Sequence, residues 1–176
     1  MIIPSQTEQV TKELKARQDI HDVLVRYCRG ADRCDAAMMK SCFHDDAWDD
    51  HGFFRGPASE FAEQAARNLR ERFLSTKHYM TNESVEINAD EARSETYVLA
   101  ILRMFKEGAM FDITMSARYL DHFECRNGQW RIVHRLLVSD GTRVDKVKQE
   151  DVRLNQGKVG RRGAEDPSFT FFGPVD

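Results

Sequence analysis

The spacing of apolar residues changes once along this chain, and that change limits the fold more than any other feature. In the first part, apolar residues recur at helical spacing, as Ile20, Val23, Leu24 and Tyr27 do. From Thr76 onward the period shortens towards two, which is typical of strands. Helices followed by a run of strands predict an α+β domain.

Three helices are predicted before the change, over residues 7–29, 33–42 and 58–73. Pro4-Ser5 is a start signal for the first. Gly30 is expected to let the backbone leave that helix, because glycine tolerates conformations that other residues avoid. The polar segment between the second and third helices, residues 44–51, is predicted as a short strand or a loop.

Four strands are predicted after the change, over residues 78–87, 91–105, 110–126 and 129–138. Asn127-Gly128 is a strong hairpin signal, and Ser139-Asp140-Gly141 is expected to end the last strand. Long strands with tight turns form an antiparallel sheet that curls around the helices. We therefore expect residues 1–140 to fold as an α+β cone, with the N-terminal helices packed into a strongly curved, mostly antiparallel sheet that encloses a pocket.

The remaining residues, 141–176, hold half of the chain's glycines and lack sustained periodicity. A short helix is predicted over 144–152. The aromatic cluster 169–172 is expected to dock on the domain or on a neighbouring subunit, because an unstructured tail rarely exposes so much apolar surface. A disordered tail is the alternative.

Charge and composition exclude several classes of function. A net charge of −3 and the lack of a long Lys/Arg run speak against nucleic-acid binding. No apolar run approaches the roughly 18 residues of a membrane span, and the N-terminus is too polar for a secretory signal. We expect a cytoplasmic protein whose four cysteines, at Cys28, Cys34, Cys42 and Cys125, stay reduced, because their spacing fits no metal or redox motif.

Asp32 lies at the base of the buried helical stripe, where a carboxylate is costly unless a partner satisfies it. His78 opens the first long strand, where the rim of a pocket should lie, and we predict that it is this partner. Neutral imidazole is a good base near pH 7, and an adjacent carboxylate stabilises the imidazolium ion. His21 is expected on the surface, and cross-strand contacts explain His122 and His134.

The segment from His44 to His51 holds two histidines and four aspartates, which invites a metal-binding interpretation. Side chains alternate between the faces of a strand, so only some of these groups could converge on one ion. A polar connecting segment with Trp48 pointing inward and Asp49 lining the pocket is favoured, and no metal site is predicted.

Several motifs together resemble one known family. They are Tyr27-x4-Asp32-Arg33, His44-Asp45-Asp46-Ala47, Gly56-Pro57, Thr76-Lys77-His78-Tyr79-Met80-Thr81-Asn82 and Asn127-Gly128-Gln129-Trp130-Arg131-Ile132. The chain resembles SnoaL-like members of the nuclear transport factor two-like (cystatin-like α+β) superfamily over roughly residues 10–140. That superfamily contains enzymes, binding modules and structural subunits.

Within the superfamily, the pattern is similar to that of the cofactor-independent lyases scytalone dehydratase, lindane dehydrochlorinase and bile acid 7α-dehydratase. The resemblance implies that Asp32 and His78 form the catalytic pair of this chain. Tyr27 matches a tyrosine of the dehydratases, whereas the dehydrochlorinase has a lysine there. Arg135, five residues after Trp130, corresponds to a functional arginine of the dehydrochlorinase. The long glycine-rich tail is a departure that affects the pocket mouth.

The expected activity is a β-elimination or an isomerisation through an enolate-like intermediate, with no metal or organic cofactor. Tyr27 would donate a hydrogen bond to the substrate, and Arg135 would hold developing negative charge. Candidate substrate contacts, which core packing would also explain, are Phe43, Trp48, Asp49, Tyr97, Met115 and Tyr119. They suggest a small hydrophobic substrate that is aromatic, steroid-like or polycyclic.

Two alternatives come from other classes. A structural partner, like the β subunit of ring-hydroxylating dioxygenases, would co-purify with a larger iron–sulfur subunit and perform no chemistry. A small-ligand binding protein would hold a ligand without turnover. A homo-oligomer, trimer or dimer, is expected by analogy, because the outer sheet face carries Leu99, Ile101 and Leu136.

Overall fold

The computed structural model describes residues 5–148 and 157–172. The helices are α1 (Gln6–Arg33), α2 (Ala36–Lys40), α3 (Ala58–Arg72) and α4 (Pro167–Phe172), with a 3-10 turn at Gly163–Glu165. The strands are β1 (Phe43–Asp50), β2 (Arg55–Pro57), β3 (Ser75–Asn88), β4 (Glu91–Lys106), β5 (Ala109–Arg126) and β6 (Gln129–Val147). The α+β class predicted from the sequence is confirmed. No helix in this part of the chain is long and apolar enough to cross a membrane.

The six strands form one sheet in the order β2-β1-β6-β5-β4-β3. All neighbouring pairs are antiparallel except β1 and β6, which run parallel. The sheet is mostly antiparallel, as predicted, but it is open, with β2 and β3 at its edges. Helices α1, α2 and α3 cover its inner face, and a buried cluster that includes Ile20, Leu24, Phe61, Phe123 and Ile132 forms the core.

The first helix begins where predicted but ends later. Ser5 is its N-cap and forms a reciprocal capping box with Glu8. The helix then runs through Gly30 to Arg33, and Cys34 ends it in the left-handed conformation, with φ of 53°. Gly30 is needed for close packing and not for a turn, because an added Cβ would lie 2.8 Å from Cγ of Met39 on α2.

The last strand passes the turn predicted at 139–141. Strand β6 continues to Val147, and its register against β5 shifts at this point, with Ser116 opposite Gly141 and Ala117 opposite Ser139. The extra residue, Asp140, is accommodated as a bulge, so these turn-forming residues mark an irregularity within a strand. The prediction of a helix over 144–152 is wrong for residues 144–147, which belong to β6. Residues 149–156 lie outside the described residues.

The C-terminal segment 157–172 contacts helices α1 and α3 of the same chain. Asp166, which is buried, pairs with Arg33 at the end of α1 at 3.2 Å. Arg162 donates a hydrogen bond to the carbonyl oxygen of Leu69 on α3 at 2.8 Å. Phe169 lies under the guanidinium of Arg29, whereas the side chains of 171 and 172 remain exposed.

Candidate active site

Helix α1 lies along the edge strand β3 and fixes the relative position of their ends. Arg17 donates a hydrogen bond to the carbonyl oxygen of Val85 at 2.8 Å. Residues 17 to 32 of a helix span about 22 Å, and residues 85 to 78 of a strand span about 23 Å. Because these lengths match, the contact of Arg17, near the middle of the helix, brings Asp32, near its C-terminal end, to His78.

Asp32 holds His78 through both the ring and the backbone. Its Oδ1 lies 2.6 Å from Nδ1 of His78, and its Oδ2 accepts a hydrogen bond from the backbone N–H of His78 at 3.1 Å. Because β3 is an edge strand, that N–H has no neighbouring strand on its outer side, and the carboxylate satisfies it. The contact leaves Nε2 of His78 available for proton exchange.

His78 lies on the wall of a cavity of about 400 Å³ between the helices and the inner face of the sheet. This volume is at the lower end of the roughly 300–1,000 Å³ typical of small-molecule sites. Mostly apolar and aromatic side chains line it: Tyr27, Ala31, Met39, His51, Phe53, Phe61, Ala65, Asn68, Leu69, Arg72, Phe73, His78, Val98, Ala100, Leu102, Met115, Ala117, Tyr119 and Leu137. The cavity therefore fits a compact hydrophobic molecule.

Tyr27 and Tyr119 share one wall of the cavity and enclose the guanidinium of Arg135. The Cζ atom of Arg135 lies 4.1 Å from the ring centre of Tyr27 and 4.0 Å from that of Tyr119. Burial raises the pKa of both phenols well above the usual range, although the nearby Arg135 acts in the opposite direction. Both rings thus stay neutral near pH 7, and each can donate a hydrogen bond to a substrate oxygen.

Arg135 itself is fully buried and does not line the cavity. Its Nε and Nη2 donate to the two carboxylate oxygens of Asp121, each at 2.7 Å. Burial lowers the pKa of Arg135, but attraction to Asp121 dominates and raises it, so the guanidinium remains charged. The prediction that Arg135 contacts negative charge on the substrate is therefore not supported by its position, because it lies behind the tyrosine rings.

The predicted substrate contacts are divided between the two faces of the sheet. Met115 and Tyr119 line the cavity, and Phe43 packs edge-on against Tyr27 beneath it. Trp48 and Tyr97 point to the outer face, with 46% and 40% of their surface exposed. Their assignment to the pocket is wrong, because strands with aromatic residues on both faces do not reveal which face is inward.

The sequence-based assignment missed a second Asp–His pair at this cavity. Asp49 is fully buried, and its Oδ1 lies 2.5 Å from Nδ1 of His51. The His51 ring stacks on Phe61 with a centroid distance of 4.0 Å and lines the cavity. Asp49 is not itself part of the cavity lining, and its link to the cavity is its contact with His51. The i, i+2 spacing of Asp49 and His51, which places both on one face of a strand, is the signal that could have revealed the pair.

The other candidate groups lie away from the cavity. His21 is half-exposed and contacts Glu83, and His122 lies opposite His134 across β5 and β6. All four cysteines are free, and burial raises the pKa of Cys28 to about 12 and that of Cys42 to about 11. Within residues 5–148 and 157–172, no group of three or more His, Cys, Asp or Glu side chains could hold a metal ion.

Solved structures with this fold include several enzymes. A hexachlorocyclohexane dehydrochlorinase, LinA type 2, has 21% sequence identity and a TM-score of 0.69, with 84% of this chain and 97% of that one covered. A structure of LinA has 25% identity and a TM-score of 0.67, over 74% and 89% of the two chains. A protein named as a candidate scytalone dehydratase, from Novosphingobium aromaticivorans, has 21% identity and a TM-score of 0.69, over 79% and 93%.

The sequence itself gives the family. No curated protein matches the chain significantly. The model of the SnoaL-like domain matches residues 12–136, a span that begins within α1 and ends within β6. It includes both Asp–His pairs and every residue of the cavity lining except Leu137. This chain therefore belongs to the SnoaL-like domain family.

Proposed function

We propose that this protein is a cofactor-independent lyase that removes a proton from carbon and expels a leaving group from the neighbouring carbon of a small hydrophobic substrate. The observation that carries the proposal is the Asp32–His78 contact on the wall of an apolar cavity. Similarity to a structure of the dehydrochlorinase LinA at 25% identity favours the same class of reaction.

In this mechanism His78 is the general base. Asp32 fixes the proton of the neutral ring on Nδ1, so that Nε2 accepts the substrate proton. The carboxylate then stabilises the imidazolium ion in an apolar surrounding, where an isolated charge would be costly. Tyr27 and Tyr119 donate hydrogen bonds to the oxygen on which negative charge develops.

The volume and lining of the cavity indicate the class of substrate. Phe53, Phe61, Phe73 and Met115 supply flat and adaptable apolar surface, which suits an aromatic or polycyclic molecule. Proton abstraction from carbon requires acidification by a neighbouring carbonyl or a similar group, which the tyrosine hydroxyls would bind. An isomerase that uses the same base and the same enolate is the second choice.

The proposal is tested with the aldol adduct of benzaldehyde and acetone, an aromatic β-hydroxy ketone, and with its acetate ester. Elimination from either compound gives benzylideneacetone, which is followed by its ultraviolet absorbance. We expect the purified chain to catalyse elimination and the His78→Gln variant to lose about 10²–10⁴-fold in kcat, the usual contribution of general acid–base catalysis.

His21→Gln is the matched control, because Nδ1 of His21 also contacts a carboxylate, Glu83, at 2.8 Å, but outside the cavity. This variant should keep the wild-type rate. Retention of activity by His78→Gln, or equal losses in the two variants, would reject His78 as the base.

A further inference from the structure

The second Asp–His pair has the same local geometry as the first but lies on a different element. In both pairs a carboxylate oxygen contacts Nδ1 of the imidazole, which leaves Nε2 for other partners. His78 belongs to the edge strand β3, whereas His51 follows β1, on the other side of the sheet order. Both rings line the same cavity, so one bound molecule can meet an imidazole on each of two walls.

Asp49 is a fully buried carboxylate whose direct side-chain partner is His51. Asp49 lies opposite Arg135 in the register of β1 and β6, and Arg135 lies opposite Asp121 in that of β6 and β5. Nε and Nη2 of Arg135 donate to Asp121, whereas Nη1 of Arg135 and Oδ2 of Asp49 have no hydrogen-bond partner among the described residues. A fully buried carboxylate is costly unless a partner satisfies it, and the ring of His51 is the group that contacts Asp49.

The position of the His51 ring is also well defined. Asp49 holds one of its nitrogen atoms, and Phe61 stacks on its face at an interplanar angle of 23°. A ring held on its edge and on its face keeps Nε2 in a constant direction, which proton transfer requires. A histidine that served only to fill space would not need the carboxylate.

We propose that His51 is a second catalytic residue, the general acid of the reaction, and that the leaving group is therefore a hydroxyl. The inference rests on the proposed function, whose general base is His78. Asp49 acts as a positioning residue for His51. A hydroxyl needs a proton in order to depart as water, whereas halide or carboxylate leaving groups do not.

In the proposed step, one proton leaves carbon and another proton reaches the departing oxygen. His78 takes the carbon-bound proton, and the electron pair of that C–H bond becomes the new carbon–carbon double bond. The C–O bond breaks with its electron pair on oxygen, and the proton on Nε2 of His51 moves to that oxygen to form water. After product release, His78 returns one proton to solvent and His51 gains one, which restores the starting state.

The test compares the aldol adduct with its acetate ester, because acetate departs without a proton. We expect His51→Gln to lower kcat/KM for the hydroxy ketone by about 10²–10⁴-fold and for the acetate by less than about tenfold. Asp49→Asn should show the same selectivity with a smaller loss. His78→Gln should lower both rates, and His21→Gln neither.

Several outcomes would overturn the assignment of His51. Equal losses on the two compounds would mean a structural role, and an unchanged hydroxy-ketone rate in a folded His51→Gln protein would mean no role. Turnover of the acetate but not of the hydroxy ketone by the wild type would reject the general acid and leave the proposed function intact. Failure of the wild type on both compounds would count against the proposed function.

A binding measurement, which needs no turnover, tests whether His51 lies within reach of a bound ligand. Benzylideneacetone is added to protein labelled with ¹⁵N-histidine, and the Nε2 resonances are followed. We expect those of His51 and His78 to move and that of His21 to stay. Movement of the His78 resonance alone would place His51 out of reach of the ligand and overturn the proposal.

Discussion

The two Asp–His pairs differ in how the chain assembles them. Asp32 and His78 are 46 positions apart and meet because α1 lies along β3, whereas Asp49 and His51 are two positions apart at the end of β1. The first pair therefore depends on tertiary packing at the end of a helix, and the second on the alternation of a strand. The two pairs have similar local chemistry, but different substitutions should disturb each of them.

The pairs also differ in their electrostatic surroundings. The side chain of Asp32 is 16% exposed and that of Asp49 is not exposed at all. Asp32 receives a backbone hydrogen bond in addition to the ring contact, whereas Asp49 lies beside the buried ion pair of Arg135 and Asp121. The second pair is consequently the one that a change in buried charge should disturb most.

Asp32→Asn should have the largest effect on activity, and it changes only the first Asp–His pair. Asparagine keeps the shape but cannot stabilise the imidazolium ion, so kcat for both test compounds should fall by about 10²–10⁴-fold with little change in KM. Asp22→Asn, on an exposed part of the same helix, is the control. An unchanged kcat in Asp32→Asn would contradict the dependence of His78 on this carboxylate.

Arg135→Met should destabilise the protein and disturb the second pair more than the first. It leaves Asp121 buried beside Asp49 without a cation, which costs about 3–5 kcal/mol in the free energy of unfolding measured with urea. A second change, Asp121→Leu, should recover much of this loss. Arg118→Met breaks an ion pair with Asp140 near the surface, where water screens the charges, and should have a much smaller effect. Similar losses in the two single variants would argue against a desolvated pair.

Gly30→Ala should weaken the first pair through packing. The added methyl group would lie 3.0 Å from the backbone nitrogen of Met39, so α2 or the end of α1 must move. Overpacking costs about 1–3 kcal/mol, against a gain of about 1 kcal/mol in helix propensity, and the net effect should be a lower Tm and a lower kcat. Gly141→Ala, where an added Cβ meets nothing within 4 Å, is the control. A higher Tm in Gly30→Ala would show that the contact is easily relieved.

Asp166→Asn should have the smallest effect and reveals whether the C-terminal segment supports the end of α1. Burial raises the pKa of Asp166, but hydrogen bonds from Ser168 and Arg161 and the charge of Arg33 lower it to about 2. A lowered pKa in the folded state means that the contribution to stability is complete above the ordinary carboxyl pKa of about 3.9. It is then lost as the pH falls through about 2.

The measurement is the difference in Tm between the wild type and Asp166→Asn as a function of pH. We expect the wild type to be about 2–4 °C more stable at pH 7, as for a change of about 1 kcal/mol, and the two proteins to converge near pH 2. A difference that stays constant over this range would mean that the ionised carboxylate is not what docks the segment.

Much of the fold could be predicted because it is encoded locally. The change of period near Thr76 separates the three main helices from the four long strands, and the Asn127-Gly128 turn lies where β5 meets β6. The predictions of helix and strand ends were wrong at glycines, because glycine is used both to end an element and within one. Gly30 suggested a helix end but serves close packing, and Gly141 suggested a turn but lies next to a bulge. A local pattern shows which backbone conformations a residue tolerates. It does not show which neighbouring residue makes that residue type necessary.

The candidate site was predictable only in part for the same reason. The buried stripe of α1 and the family resemblance singled out Asp32 and His78, and the structure brings these two together, although their catalytic role stays a prediction. Trp48 and Tyr97 were assigned to the wrong face. The burial of Arg135 behind the tyrosines depends on residues from two strands and a helix, which no local spacing describes.

The sequence by itself determined the three main helices, the four long strands, the α+β class and the two residues of the first Asp–His pair. Tertiary structure alone decided which face of the sheet became the wall of the cavity and that His51 shares this cavity with His78. The physical reason is that alternation defines two faces of a strand, but only packing against the helices removes one of them from water.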